Sequence, residues 1–306
     1  MSDANKLQYI KHQDIDYDKW DRCIDEAINC RIYAYTWQLD RAAQRWDALV
    51  YGDYEYVMPL PVRSKFGIKY LYQPMFSQQL GIFPLPEKAL SSLFYKYISE
   101  HFRYAQLNLN SANLPDKKFN EITFSPRKNY LLPLAQSYKS IIKFYSTNAR
   151  RNIAKANKNK LNIVEGIRLE TFLEFKLEHL PENQKRSSFN SLKSMVAYGQ
   201  YKGFGEVYGV YTADNELCAA VYFCRWKDRV IYFNAASSDK GKELRAMYFL
   251  LNEFVRKNAG RNLILDFEGS VIPGVARFFE GFGATPETYF QLKINRLPLP
   301  LKWIKR

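Results

Sequence analysis

A chain of 306 residues is long enough for two domains of ordinary size, each burying its own core. Its 45 basic residues against 31 acidic ones leave a net charge of +14; this favours a polyanionic partner, such as tRNA, a nucleotide-linked substrate or an anionic membrane face, although the same excess also serves solubility. No stretch is long and apolar enough for a transmembrane segment, and Met1 to Asn5 opens polar rather than as a signal peptide; Cys23, Cys30, Cys218 and Cys224, like His12, His101 and His179, lack metal-ligand spacing, so a cytoplasmic protein with buried free thiols and no metal is expected.

Residues 7–11 alternate as a short strand, and 17–29 read as a helix with Trp20, Cys23, Ile24, Ala27 and Ile28 on one side. A short helix at 36–44 leads into a three-stranded meander: 46–51, a Gly52-Asp53 turn, 54–62, a basic turn at 63–67, and 68–72. The polar connection QPMFSQQLGIFPLP precedes a helix at 87–101, whose Leu90, Leu93, Phe94, Tyr97 and Ile98 share a face; strands at 104–109 and 121–125 follow. A strand at 130–134 opens the second half, where the order returns. Helices within 136–159, a strand at 161–165 and helices at 169–180 and 189–202 precede a meander of 205–211, 217–226 and 230–235, turning at Asp214-Asn215 and 227–229. A helix at 242–257, a strand at 262–268, a short helix at 273–280 and a strand at 288–294 complete it. The two meanders share element order rather than residues, which predicts domains at 1–129 and 130–306, each a mixed α/β unit. The proline-broken basic tail 296–306 reads as a surface segment, either frayed or touching an anionic partner.

Two stretches carry chemistry. In 262–268, strand alternation sets Ile264, Asp266 and Glu268 on one face, so two carboxylates emerge at the strand's carboxyl end, where open α/β sheets bind ligands. Either could take the proton of an amine nucleophile; ion pairing with a neighbouring strand's Arg or Lys, or a helix-cap role, explains them equally well. Ser270 is a candidate cap for the following helix, Pro273 suits its first turn, and Gly281 and Gly283 suit its end. The second stretch is a basic helix at 148–159, with Ser146, Thr147 and Asn148 as candidate N-caps. Arg151, Lys155 and Lys158 recur at i, i+4 and i+7, flanked by Arg150, as either a phosphate-binding stripe or a solvated face. In the first half, Trp37, Asp40, Arg63, Lys65, Gln73, Gln78 and Gln79 fall near strand ends and the connection after the meander; the glutamines could line an acceptor pocket or satisfy backbone groups in an irregular loop.

The order strand, two helices, meander, helix, strand, helix, strand resembles the GNAT acyltransferase fold used twice. SYKSIIKFYSTNARRNIAKANKNKLNIVEG resembles the start of the second domain of FemAB-type transferases, and DFEGSVIPGVARFFEGFGA resembles that family's late strand and its glycine-phenylalanine-glycine helix ending. The resemblance implies an α/β (α+β) chain of two tandem GNAT-like domains, each with a mixed, mostly antiparallel sheet flanked by helices. It also implies transfer of an amino acid from aminoacyl-tRNA to the amine of a peptidoglycan precursor, with basic residues holding phosphates. On that reading Glu268, and after it Asp266, is the base, and Arg150, Arg151 and Lys155 hold phosphates. Tyr232 and Asn234 lie on the strand edge that holds the acyl group, Phe278 and Phe279 contact substrate from the short helix, and Trp37, Gln78 and Gln79 belong to the acceptor side.

The chain departs from these families twice. Phe279 stands where FemAB-type helices carry a lysine, and the run from Ser237 to Glu243 has one glycine and two acids where acetyl-CoA-binding GNAT proteins carry a glycine-rich pyrophosphate loop. No cofactor beyond the acyl donor is required. An acyl-CoA-dependent N-acyltransferase and a non-catalytic protein binding tRNA or an anionic glycan precursor stay open as alternatives.

Overall fold

The computed structural model describes residues 6–115, 119–180, 186–269 and 272–299. In chain order the elements begin β1 (Leu7–Ile10), α1 (Tyr17–Glu26), α2 (Thr36–Ala42), β2 (Trp46–Tyr51), β3 (Tyr56–Lys65), β4 (Ile68–Leu71), α3 (Lys88–His101), β5 (Tyr104–Asn108) and β6 (Thr123–Pro133). There follow α4 (Tyr138–Ile141), α5 (Thr147–Ala156), β7 (Asn162–Glu165), α6 (Leu169–Glu178), α7 (Arg186–Tyr201), β8 (Gly205–Tyr211), β9 (Leu217–Trp226) and β10 (Arg229–Ser237). The last are α8 (Asp239–Glu243), α9 (Ala246–Asn258), β11 (Ile264–Asp266), α10 (Pro273–Gly281) and β12 (Thr285–Asn295).

Local backbone conformation accounts for the departures from expectation. The backbone turns extended at Ala27, so α1 ends at Glu26 and Ile28, expected on its apolar side, is 91% exposed. Tyr54 takes a positive φ, which lengthens the first turn, and the basic turn tightens to Phe66-Gly67, both left-handed, as hairpin twist requires. The strands expected at 121–125 and 130–134 are one, β6. The helix expected at 242–257 is divided into α8 and α9 by Arg245, a left-handed residue. The expected cap Ser270 and the end of the basic tail, 300–306, lie outside the described residues.

The chain divides into two compact units, Met1–Arg127 with Thr288–Arg306, and Lys128–Glu287. The last strand therefore joins the first unit rather than the second domain, because residues 291–295 of β12 pair antiparallel with β5. In the first unit the strands run β1-β2-β3-β4-β5-β12, and α3 lays Phe94 and Ile98 on a core of Leu49, Met58, Leu60, Leu107 and Leu292. Its parallel pair, β4 with β5, makes one register contact, Leu71 to Ala105. Beyond it the chain's own segment re-enters the sheet: Leu80 bridges Leu109 in parallel, and Phe83 exchanges both backbone hydrogen bonds with Val57, at 2.6 and 2.8 Å.

The second unit runs β6-β11-β10-β9-β8-β7, parallel at β10 with β11 and antiparallel elsewhere. Alternation along β9 sends Val221 and Phe223 to the α9 face, against Leu250 and Phe254, and Tyr222 to the α6–α7 face, where its hydroxyl donates to the Val196 carbonyl at 3.1 Å. The helical turn α8 lies so close to β9 that a Cβ on Gly241 would stand 1.9 Å from the Cys218 carbonyl oxygen. Gly241→Ala is therefore expected to cost about 1–3 kcal/mol of stability, read as a fall in the urea midpoint with an unchanged slope.

Candidate functional site

In the second unit β10 and β11 part early. They pair over three residues, Arg229 to Ile231 against Ile264 to Asp266, and β10 then runs on to Ser237 with β9 as its paired neighbour. The register of β10 on β9 shifts between Tyr232 and Asn234, so Phe233 is the extra residue of a bulge. A bulge bends and twists its strand, which carries the end of β10 away from β11. Along this freed edge the Asn234 Oδ1 is buried without a hydrogen-bond partner among the described residues. Lys176, from α6, donates to the Ala235 carbonyl at 2.7 Å, and burial lowers its pKa. Lys176 is not among the residues expected from sequence. The signal was there: Leu169, Phe172, Leu173 and Lys176 fall at i, i+3, i+4 and i+7, which puts a lysine on the apolar face of α6.

The two candidate carboxylates do different work. Asp266 is 3% exposed, and its Oδ2 accepts from Arg229 Nη1 at 2.7 Å; Glu287 Oε1 lies 4.0 Å from the same guanidinium. Burial acts to lower the Arg229 pKa, but the charges of Asp266 and Glu287 outweigh it and hold the pKa above its ordinary value. The other oxygen, Oδ1, accepts from the Glu268 N–H at 3.0 Å. Asp266 thus has the ion-pairing role weighed for it, with Arg229 as the neighbouring-strand partner. Glu268 does not continue the strand: β11 ends at Asp266, and Glu268 and Gly269 take φ of 55° and 64°, so the expected alternation stops. Left-handed φ on a non-glycine residue is costly and concentrates at functional positions. Glu268 is half-buried, and after burial itself its charge helps push the Cys224 thiol up.

On the α9 face the site is backed by aromatic packing. Phe279 is 3% exposed, stacked on Phe267 at 4.5 Å and edge-on to Tyr232 at 5.8 Å. Phe278 meets Tyr248 at 4.7 Å, and the Tyr232 hydroxyl donates to Met247 Sδ at 3.2 Å. Phe279 is therefore a core residue that closes this cluster rather than a surface contact, which is why the position holds a ring.

The basic helix α5 is capped by Ser146, whose Oγ accepts from the Ala149 N–H at 3.1 Å. Arg150 turns back: its Nη2 donates to the Ile142 and Lys143 carbonyls at 3.0 and 2.9 Å. Arg151 reaches Asn148 Oδ1 at 3.1 Å, and Lys155 is exposed. Lys158 lies beyond the helix end at Ala156, so the expected stripe stops at Lys155. In the turn after β10, the Ser238 Oγ caps α8 through the Gly241 N–H at 3.1 Å, so the one glycine of that run serves helix packing.

In the first unit the glutamines serve the loop. Buried Gln79 accepts from the Ser111 N–H at 2.9 Å and donates to Gln78 Oε1 at 3.0 Å, while Gln73 accepts from the Asn108 N–H at 2.7 Å. Trp37 stacks on Tyr35 at 6.2 Å, and its carbonyl takes the Arg41 guanidinium. Among the described residues no helix is long and apolar enough to cross a membrane, and no group of three or more His, Cys, Asp or Glu side chains could hold a metal ion.

No family model matches the chain, and no curated protein matches it in sequence. Solved structures do. FemX superposes with a TM-score of 0.62 at 12% identity, over 97% of this chain and 99% of that one. A GNAT-family acetyltransferase from Colwellia psychrerythraea gives 0.54 at 12%, over 94% and 99%. A tandem GNAT protein from the clavulanic acid biosynthesis pathway gives 0.52 at 10%, over 94% and 98%. At these identities the likeness is one of fold, and the fold is a FemX-like tandem GNAT fold, mixed α/β with mostly antiparallel strands flanked by helices.

Two measurements test the site's construction. Arg229→Met alone should destabilise by about 3–5 kcal/mol, and the Arg229→Met/Asp266→Leu pair should recover most of that, because an unpartnered buried charge costs more than an apolar pair. Lys176 has a folded pKa below its unfolded one, so the unfolded chain binds its proton more tightly and the penalty present at neutral pH is relieved as the alkaline range is entered. The stability difference between wild type and Lys176→Met should accordingly shift in favour of wild type as pH rises.

Proposed function

We propose that the chain is an N-acyltransferase whose acyl donor lies in the opening between β10 and β11 of the second unit. The observation that carries this reading is the early parting of the one parallel strand pair beside a bulge, with Asn234 and the Lys176-held Ala235 on the freed edge. In the first unit the equivalent parallel pair has its gap filled by residues 80–83 of the chain itself, which favours the second unit as the live one. The acceptor amine attacks the acyl carbonyl, Glu268 takes the amine proton, and as the C–N bond replaces the donor's ester C–O bond that proton passes from Glu268 to the leaving oxygen. Backbone N–H groups of the freed edge and an unused N–H of Lys176 would stabilise the oxyanion. Asp266 is assigned to orientation through Arg229 rather than to proton transfer.

Aminoacyl-tRNA is the preferred donor, because the run from Ser237 to Glu243 is spent on a packed helical turn instead of a pyrophosphate loop. Arg151 and Lys155, with the pinned Arg150, would meet its phosphates or those of a nucleotide-linked muropeptide. Such a donor implies a cytoplasmic enzyme, with peripheral membrane contact where the acceptor is a cell-wall precursor. One observation favours a second reading, a non-catalytic binder of tRNA or an anionic glycan precursor: the lysine position of the FemAB-type helix is a buried phenylalanine here.

Titration with a charged tRNA minihelix and with acetyl-CoA separates the donors, the minihelix binding more tightly on this account. Glu268→Gln should leave that binding unchanged and lower transfer by about 10²–10⁴-fold. Full transfer by the variant would remove Glu268 as the base; binding without transfer in the wild type, across amine acceptors, would favour the binder.

A further inference from the structure

Away from the β10–β11 opening, the second unit carries a pocket of about 530 Å3 bordered by α4, α5 and the Asn252 turn of α9, a size that suits a small organic ligand. Ile142, Tyr145 and Ile153 give it hydrocarbon and ring walls, and Lys139, Lys143 and Arg150 give it an exposed cationic rim. Among the described residues no carboxylate pairs with any of the three cations. Arg150 is preorganised: Nη2 is committed to the Ile142 and Lys143 carbonyls, which fixes the direction of its remaining N–H donors.

A second observation is independent of charge. Tyr145 is 5% exposed and lies edge-on to Phe282 at 5.2 Å, yet its hydroxyl has no hydrogen-bond partner among the described residues. Burial first, then Tyr138, another wall residue, and then the charge of the Glu253 carboxylate push its pKa up, so the hydroxyl remains a neutral donor. The neighbouring Tyr138 hydroxyl, by contrast, is satisfied by Asn252 Oδ1 at 2.8 Å. Buried hydroxyls are seldom left unpaired, and one that is calls for an explanation such as a ligand.

We propose that this pocket binds an anionic amphiphile, its phosphate or carboxylate held by Lys139, Lys143 and Arg150 and its apolar body laid on Ile142, Tyr145 and Ile153, with the Tyr145 hydroxyl as a further donor. The site lies away from the β10–β11 opening and shares Arg150 with the phosphate contacts proposed for the donor. Phe144, 68% exposed, follows Lys143 in the chain, so a headgroup presented at a bilayer surface offers the same chemistry as a free amphiphile.

The test titrates the full chain calorimetrically with hexyl phosphate and with hexanol, and sediments it with phosphatidylglycerol or phosphatidylcholine vesicles. Hexyl phosphate should bind at least about tenfold more tightly than hexanol, and Lys139→Gln/Lys143→Gln should remove about tenfold of its affinity. Tyr145→Phe should weaken binding several-fold while melting no lower than wild type, since no protein hydrogen bond is lost; a merely structural tyrosine would not give that split. Sedimentation with phosphatidylglycerol alone, lost in the double variant, assigns the site to lipid; hexyl phosphate binding without sedimentation assigns it to a free amphiphile. Failure of both probes to bind, or binding unchanged in both variants, overturns the proposal.

Discussion

The second unit depends on how its one parallel strand pair is closed at one end and opened at the other. Arg229 opens the paired stretch on β10 and Asp266, opposite Ile231, ends it on β11, so their ion pair, with Glu287 beside it, spans the paired stretch diagonally and holds it together up to the point where the strands part. A nearly buried pair of this kind contributes little net stability compared with an apolar pair of the same volume, but removing Arg229 leaves the buried Asp266 carboxylate without its cation. It therefore acts as a register clamp. Immediately past it the backbone is bent on both sides, by the bulge at Phe233 and by the left-handed Glu268-Gly269 turn. The opening that results is built from backbone geometry, and the side chains along it inherit their positions from that geometry.

The same element order serves two ends. In each unit a meander, a helix and a parallel strand pair follow one another, and in each the parallel pair makes a short contact. The first unit fills the space beyond that contact with its own chain, satisfied by Val57, Leu109 and a set of amide side chains, whereas in the second unit β10 runs on with an unpartnered Asn234 oxygen. Gly81 shows how tightly the first gap is filled: a Cβ there would lie 2.2 Å from Asn113 Oδ1. Backbone groups that pair with each other are unavailable to a ligand, so the asymmetry separates a closed unit from an open one.

Much of this fold was legible in sequence because periodicity and turn chemistry agree. β8 and β9 have the expected limits, since alternating β-branched and aromatic residues run up to an Asp-Asn turn on one side and a Lys-Asp turn on the other. What failed had local causes that side-chain pattern does not carry: the left-handed Arg245 that divides one expected helix, the early end of α1 that exposes Ile28, and the turn at Glu268 that shortens β11. The site was half legible. Asp266 and Glu268 stood out as carboxylates in an apolar strand, but the partner that separates their roles is 37 residues away on a neighbouring strand. Gln79 looked like a ligand contact because exposed and buried glutamines read alike until the loop is folded. Lys176 is a charge on an apolar helix face, a pattern that by itself does not tell a buried ammonium from one whose stem carries it to solvent.

The most direct test of the central claim, that ligand chemistry belongs to the opening beyond the Arg229–Asp266 clamp, is hydrogen exchange of the full chain with and without a bound acyl donor. New protection is expected at 232–237 and around Glu268, with the already paired segment 80–83 unchanged. Protection that falls on 80–83 and leaves 232–237 exchanging as before would contradict it.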